Sequence, residues 1–215
     1  AAREKSLNEI VRRHETLRTT FTTSEDQPVQ VIAPSLTLEL SPLKLSMIDA
    51  SERDAEVSRM LSMEADRPFN LAEGPLLRAI LLELGEQEHV LQIPMPHIIS
   101  DGWSAGILFD ELALLYRAFS QGQSPQLPPL PVQYSDYAVW QREWLDGDVL
   151  EREVDYWKQQ LAGAPALLEL PTDRPRPAVL THRGARKRIQ LPAELTERIK
   201  TLSQREGVTL FMTFL

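Results

Sequence analysis

Of the four histidines in the sequence, at positions 14, 89, 97 and 182, His97 has the setting in which chemistry is most feasible. It follows the apolar run Val90 to Met95, Asp101 and Gly102 stand close behind it, and a helix is expected to open near Ser104. A loop that leaves a strand and feeds a helix holds its side chains at a defined place while leaving them open to a substrate. An imidazole near its free pKa takes a proton from an amine or hydroxyl at neutral pH without large perturbation. Asp101 either orients that ring, as in a triad, or serves the helix N-terminus, where a carboxylate is favoured structurally. A structural reading of His97, in which it only satisfies backbone groups at a strand end, stands beside the catalytic one.

Other chemistries find little support. The histidines have no metal-ligand spacing, no serine sits in a nucleophile elbow, and no Gly-rich phosphate loop occurs. The chain has no cysteine, so disulfides, thiolate nucleophiles and Cys-ligated metals are out, and a reducing compartment fits. Twenty-three Lys+Arg against 31 Asp+Glu give a net charge of -8, the wrong sign for a general binder of nucleic acid or anionic lipid. No run approaches the roughly 20 apolar residues of a membrane span. With 42% hydrophobic residues over 215 positions, the expectation is a globular, soluble, cytoplasmic protein. The chain opens without Met and closes on the apolar run Thr209 to Leu215, which reads as a piece of a longer polypeptide.

The elements that must position His97 follow from periodicity. Leu7, Ile10, Val11, His14 and Leu17 make one face of a helix over residues 4–16, with Arg12, Arg13 and Glu15 on the opposite side. Arg18 to Thr23 and Val29 to Ile32, joined by the turn residues Ser24 to Pro28, read as a hairpin. Leu36 to Leu40 alternates as a half-buried strand. Ser51 and Asp54 resemble a capping box for a helix running to about Asp66. Leu76 to Leu84 and Val90 to Met95 read as central strands buried on both faces, the second ended by Pro94 and Pro96, which cannot donate to a ladder.

A stripe of Ile107, Leu108, Leu112, Leu115, Tyr116 and Phe119 predicts a helix ending before Gly122. Tyr134 to Leu161 reads as one long helix kinked at Gly147, the Pro-rich stretch Pro165 to Pro177 as a boundary, and residues 186–191 as a strand. Helices from Pro192 to Glu206 and from Thr209 follow. Hairpins and helices intermixed without strict alternation give a fold of the α/β (α+β) kind, a mixed β-sheet covered by helices.

Three segments together carry a specific resemblance: Arg13-His14-Glu15-Thr16-Leu17-Arg18-Thr19-Thr20-Phe21, then Met95-Pro96-His97-Ile98-Ile99-Ser100-Asp101-Gly102-Trp103-Ser104, then Tyr134-Ser135-Asp136-Tyr137-Ala138-Val139-Trp140. In this order, and followed by Leu170-Pro171-Thr172-Asp173-Arg174-Pro175-Arg176-Pro177, the chain resembles the condensation domains of nonribosomal peptide synthetases. The resemblance covers essentially the whole chain, while the family's opening motif and its later motifs are missing. It implies a chloramphenicol acetyltransferase-like N-terminal lobe over residues 1–170, then a linker and the truncated beginning of a similar second lobe over 171–215.

The activity implied is peptide-bond formation between two thioester-bound substrates, with wording closest to members joining an L-donor to an L-acceptor. His97 matches the second histidine of the His-His-x-x-x-Asp-Gly motif, the one assigned to chemistry, and Pro96 stands where the first histidine is expected. Asp101, Gly102, Trp103 and Arg18 take supporting, structural places, with Asp101 expected to pair with an arginine, either Arg18 or one in the second lobe. No metal and no directly bound cofactor are implied, since the substrates ride on phosphopantetheine arms. The implied partners are the donor and acceptor carrier proteins, an adjacent adenylation domain and the C-terminal lobe. Two rival functions remain: a non-catalytic, condensation-like module that recruits another protein, favoured by Pro96, and a coenzyme A-dependent acyltransferase.

Overall fold

The computed structural model describes residues 1–167, 169, 171–175, 177–179 and 187–215. Parts of the Pro165 to Pro177 stretch, His182 and the first residue of the expected strand 186–191 lie outside the described residues; the rest of that strand, from Lys187, has no strand structure. The chain forms two compact units, Ala1–Ala162 and Gly163–Leu215.

The first unit opens with α1 (Ala2–Arg13), which buries Leu7, Ile10 and Val11. The helix stops at Arg13 because His14 turns to extended backbone, and a 3-10 turn, Glu15–Arg18, intervenes before the first strand. β1 (Thr19–Ser24) and β2 (Gln27–Ile32) form the expected antiparallel hairpin. Its two turn residues, Glu25 and Asp26, both have positive φ, as a tight turn matched to the strand twist requires.

A second sheet has the order β3 (Pro42–Lys44), β4 (Ile80–Glu83), β5 (His89–Gln92), with β3 parallel and β5 antiparallel to β4. The central strand β4 is buried on both faces, as its unbroken apolar run predicted, whereas β5, expected to be central too, is half-buried and lies at the end of the strand order among the described residues. Leu81 packs with Leu7 and Leu40 on one side, while Leu82 packs with Leu45 and Leu84 against Val57, Met60 and Leu61 of α2 (Ala50–Asp66) on the other. β5 ends at Gln92, ahead of Pro94. One further bond, from the Arg78 N–H to the Pro94 carbonyl, ties the two chain segments beyond the ladder.

Several local expectations change. Leu36 to Leu40 is no strand: the Asn8 side-chain amide accepts from the Leu38 N–H at 2.7 Å and donates to the Leu38 carbonyl at 2.9 Å, so a side chain takes the place of a strand neighbour. Ser51 does not cap α2. The helix begins one residue earlier, where the Asp49 carbonyl accepts from the Glu52 and Arg53 N–H groups. The long helix from Tyr134 is two helices, α4 (Tyr134–Trp144) and α5 (Gly147–Gln160), because Asp146 caps the second through the Gly147 N–H and Gly147 itself has φ +50.

Between β5 and α4 lies α3 (Gly102–Ser120), whose Leu108 and Leu115 pack with Ile10, Val11 and Leu17 in the main core. In the second unit, α6 (Ala193–Arg205) and α7 (Leu210–Phe214) are joined by a hydrogen bond of 2.7 Å between Ser203 and Thr213.

Candidate active site

The segment from Met95 to Ser104 is held at both ends and open in the middle. Ile99 is buried in the main core with Leu17 and Leu108, and its N–H donates to the Pro96 carbonyl at 3.2 Å, closing a turn that leaves His97 and Ile98 exposed. An apolar anchor two residues past His97 therefore fixes the loop while the imidazole stays available to solvent. Pro96 fits this turn, since its carbonyl is used and its missing N–H is not needed.

Asp101 is the N-cap of α3. Its Oδ1 accepts from the Ser104 N–H and from the Ser104 hydroxyl, both at 2.8 Å, and the Asp101 N–H donates to Ser104 Oγ at 2.8 Å. This reciprocal box engages Asp101 Oδ1 at the helix end, and no hydrogen bond joins the carboxylate to the His97 ring. Donation from the Ser104 N–H, then from its hydroxyl, holds the Asp101 carboxyl below its usual range, and His97 adds a smaller attraction.

The expected ion pair between Asp101 and Arg18 is absent. Arg18 pairs instead with Glu15 at 3.2 Å and donates to the Ala33 carbonyl, because the 3-10 turn aims it along its own hairpin. Arg18 lines a different cavity, about 680 Å³, between α1 and Pro34–Thr37 that contains no residue of the His97 segment. Gly102 opens α3 with nothing within 4 Å of where a Cβ would project. Trp103 is 82% exposed at the same helix end.

The first and third motif segments meet in a polar network that the sequence did not reveal. Arg13, expected on the solvent side of α1, is buried: its Nε and Nη2 each donate at 3.1 Å to the two carboxylate oxygens of Glu111 on α3, and Nη1 donates to the Pro128 carbonyl at 3.0 Å. His14 Nε2 lies 2.8 Å from Glu111 Oε2. From α4's cap, the Gln133 side chain donates to the Arg13 carbonyl and accepts from the Glu15 N–H, and Ser135 donates to Glu15.

Burial works to raise the Glu111 pKa, but hydrogen bonds from Arg13 and His14 outweigh it and leave the carboxyl below its ordinary value. A signal for this clamp was present. Glu111 stands three residues after Leu108 and four before Leu115, on the apolar stripe of α3, and His14 stands on that of α1, whereas Arg13 carried no such signal.

The three motif segments thus place an exposed histidine just ahead of a capped helix, beside a mixed sheet with helical cover. The Condensation domain family model matches residues 2–215, and the chain belongs to this family. Two of the large polypeptides that make up linear gramicidin synthase in Brevibacillus parabrevis are close relatives. The chain is 51% identical to one of them over 215 residues, covering 100% of this chain and 4% of that protein. It is 50% identical to the other over 212 residues, covering 99% of this chain and 3% of that one. Among solved structures, the X-domain from teicoplanin biosynthesis in complex with OxyB superposes with a TM-score of 0.82 at 29% identity, over 97% of this chain and 45% of that one. The chain thus spans a small fraction of the synthases and less than half of the X-domain chain.

Proposed function

We propose that residues 1–170 are the N-terminal lobe of a condensation domain that forms peptide bonds in nonribosomal peptide synthesis, and that residues 171–215 lead into its second lobe. The single observation that carries this reading is the 51% identity maintained along all 215 residues to a peptide synthase. In this reading a donor and an acceptor carrier protein each present a thioester on a phosphopantetheine arm. An adenylation domain lies alongside, and the C-terminal lobe completes the site. The chemistry is that of a cytoplasmic enzyme with no directly bound cofactor, and the motif wording favours an L-donor and an L-acceptor.

The acceptor amine attacks the donor thioester carbonyl, the C–N bond forms, the C–S bond breaks, and the thiolate leaves with a proton. His97, exposed on an anchored turn, accepts the ammonium proton or hydrogen-bonds the zwitterionic intermediate. Asp101 and Ser104 keep the helix end rigid, and the open space in front of Gly102 leaves room for an arm to approach. Orienting two tethered partners is worth about 7 to 11 kcal/mol of barrier, against the roughly 10²- to 10⁴-fold of acid–base help. Positioning is therefore the larger contribution.

A recruitment module is the second reading, favoured by Pro96 and by the likeness to an X-domain solved in complex with OxyB. The test is amide formation by the complete domain with both carrier-bound substrates. Peptide synthesis expects product from the wild type, its near loss in His97→Ala with the fold intact, and none from the 215-residue chain alone. A folded wild-type domain that makes no amide would overturn peptide synthesis and favour recruitment.

A further inference from the structure

We propose that Glu111 is a positioning residue for the His97 segment, acting through His14 and Arg13. In its effect on activity the inference rests on the function proposed above; in its effect on the loop it does not.

The geometry begins with a gap. Between the end of α1 and the start of α3 lies a cavity of about 90 Å³, with His14 and Leu17 on one wall and Ile99, Ser104 and Leu108 on the other. A drug-sized ligand needs roughly 300 Å³ or more, so this space is a joint between two motif segments and not a binding pocket. An unfilled joint gives the loop somewhere to move, because atoms facing a gap lack partners on that side. What ties the two walls to each other is polar. Glu111 receives two guanidinium donors from Arg13 at 3.1 Å and lies 2.8 Å from the His14 ring, so one carboxylate sets both residues at the α1 terminus.

Ser104, Leu108, Glu111 and Leu115 recur at spacings of four, three and four along α3, on one face. The clamp therefore lies on the same side of the helix as the Ser104 that closes the Asp101 box. A side chain that fixes His14 fixes the wall that faces Ile99 and Ser104 across this gap, and Ile99, packed with Leu17 and Leu108, carries the turn that holds His97. Glu111 itself touches no reacting atom.

The experiment compares Glu111→Ala and Glu111→Gln in the complete domain with Leu82→Ala as a stability control. Leu82 is fully buried on the α2 side of β4 and touches none of these residues. Hydrogen exchange is read at the Ile99, Ser104 and Ala105 amides, each hydrogen-bonded within the loop or cap, and amide formation is read as kcat and KM.

Glu111→Ala is expected to speed exchange at these amides about tenfold or more and to lower kcat on the order of ten- to a hundredfold, with KM for the acceptor changed less than about twofold. Glu111→Gln, which keeps one acceptor for Arg13 and so protects the fold, is expected to fall between. Leu82→Ala is expected to lower melting temperature and change neither readout. If both Glu111 variants track Leu82→Ala, with stability lost but loop exchange unmoved, the positioning role is overturned. If exchange rises as expected while even the wild type makes no amide, the positioning role stands and the peptide-bond reading falls.

Discussion

Asp101 and Ser104 cap each other across the first turn of α3, with the Ser104 N–H and hydroxyl donating to Asp101 Oδ1 and the Asp101 N–H donating to Ser104 Oγ, each at 2.8 Å. The motif's acidic residue therefore secures the element behind His97 without touching the imidazole. Removing its oxygen leaves the Ser104 N–H at the helix N-terminus without its cap and takes one acceptor from the Ser104 hydroxyl.

Asp101→Ala is expected to lower the melting temperature and to speed exchange at the Ser104 amide, while Asp101→Asn, which keeps an acceptor, is expected to lose much less. The carboxyl sits below its ordinary 3.8, chiefly through the Ser104 N–H. Its contribution is present above that value and is lost as pH falls through the lower folded one, so the aspartate protein gains an acid sensitivity that Asp101→Asn lacks. Unchanged stability in Asp101→Ala would show that the box is dispensable.

Glu111 and Arg13 have side chains only 13% and 7% exposed, and His14 shares the carboxylate. Breaking a pair this buried leaves a charge uncompensated, so Glu111→Ala is expected to cost about 3 to 5 kcal/mol in urea unfolding. Burial raises the Glu111 pKa, but donation from Arg13 and His14 brings it below 4.5 overall. The pair's stabilisation is thus complete above about pH 4.5 and declines as pH falls through the folded value. Unfolding free energies measured between neutral and acidic pH should fall more steeply for the wild type than for Glu111→Gln, and parallel curves would contradict this.

Asn8 substitutes for a strand by bonding both backbone groups of the buried Leu38. Asn8→Ala leaves a buried donor and acceptor unpaired, at about 1 to 3 kcal/mol each. Asn8→Asp keeps the acceptor for the Leu38 N–H and loses the donor, so thermal unfolding should rank the wild type first, Asn8→Asp next and Asn8→Ala last. Equal melting temperatures would mean that the segment Leu36 to Leu40 finds its partners elsewhere.

Pro96→His in the complete domain is expected to change stability more than turnover. The turn uses the Pro96 carbonyl, which histidine retains, while loss of the ring's φ constraint costs about 0.4 to 1 kcal/mol through the unfolded state. A rate gain of several hundredfold with unchanged unfolding would show that proline at this position had disabled the site.

Local pattern alone determined much of this protein. The apolar stripe of α3, the hairpin around Glu25 and Asp26, the buried run of β4 and the stop before Pro94 depend on neighbours within a few residues, and such interactions are carried by spacing alone. The His97 segment was legible for the same reason, as a short motif between a strand and a helix.

What crossed the chain was not legible. Arg13 and Glu111 are 98 positions apart, and Asn8 and Leu38 are 30 apart. A charged residue on a helix is solvated unless another element arrives to bury it, so Arg13 read as a surface residue until the packing of α1 on α3 brought Glu111 to it. Asp101 shows the converse. Of the arginines expected as its partner, Arg18 pairs with Glu15 on its own turn, while Asp101 accepts from a serine three residues away. Local spacing decided most of the elements, while the tertiary structure decided which polar groups leave water and, at Leu36 to Leu40, whether a strand forms at all, because desolvation and backbone pairing depend on everything packed around a group and not on the residues beside it in sequence.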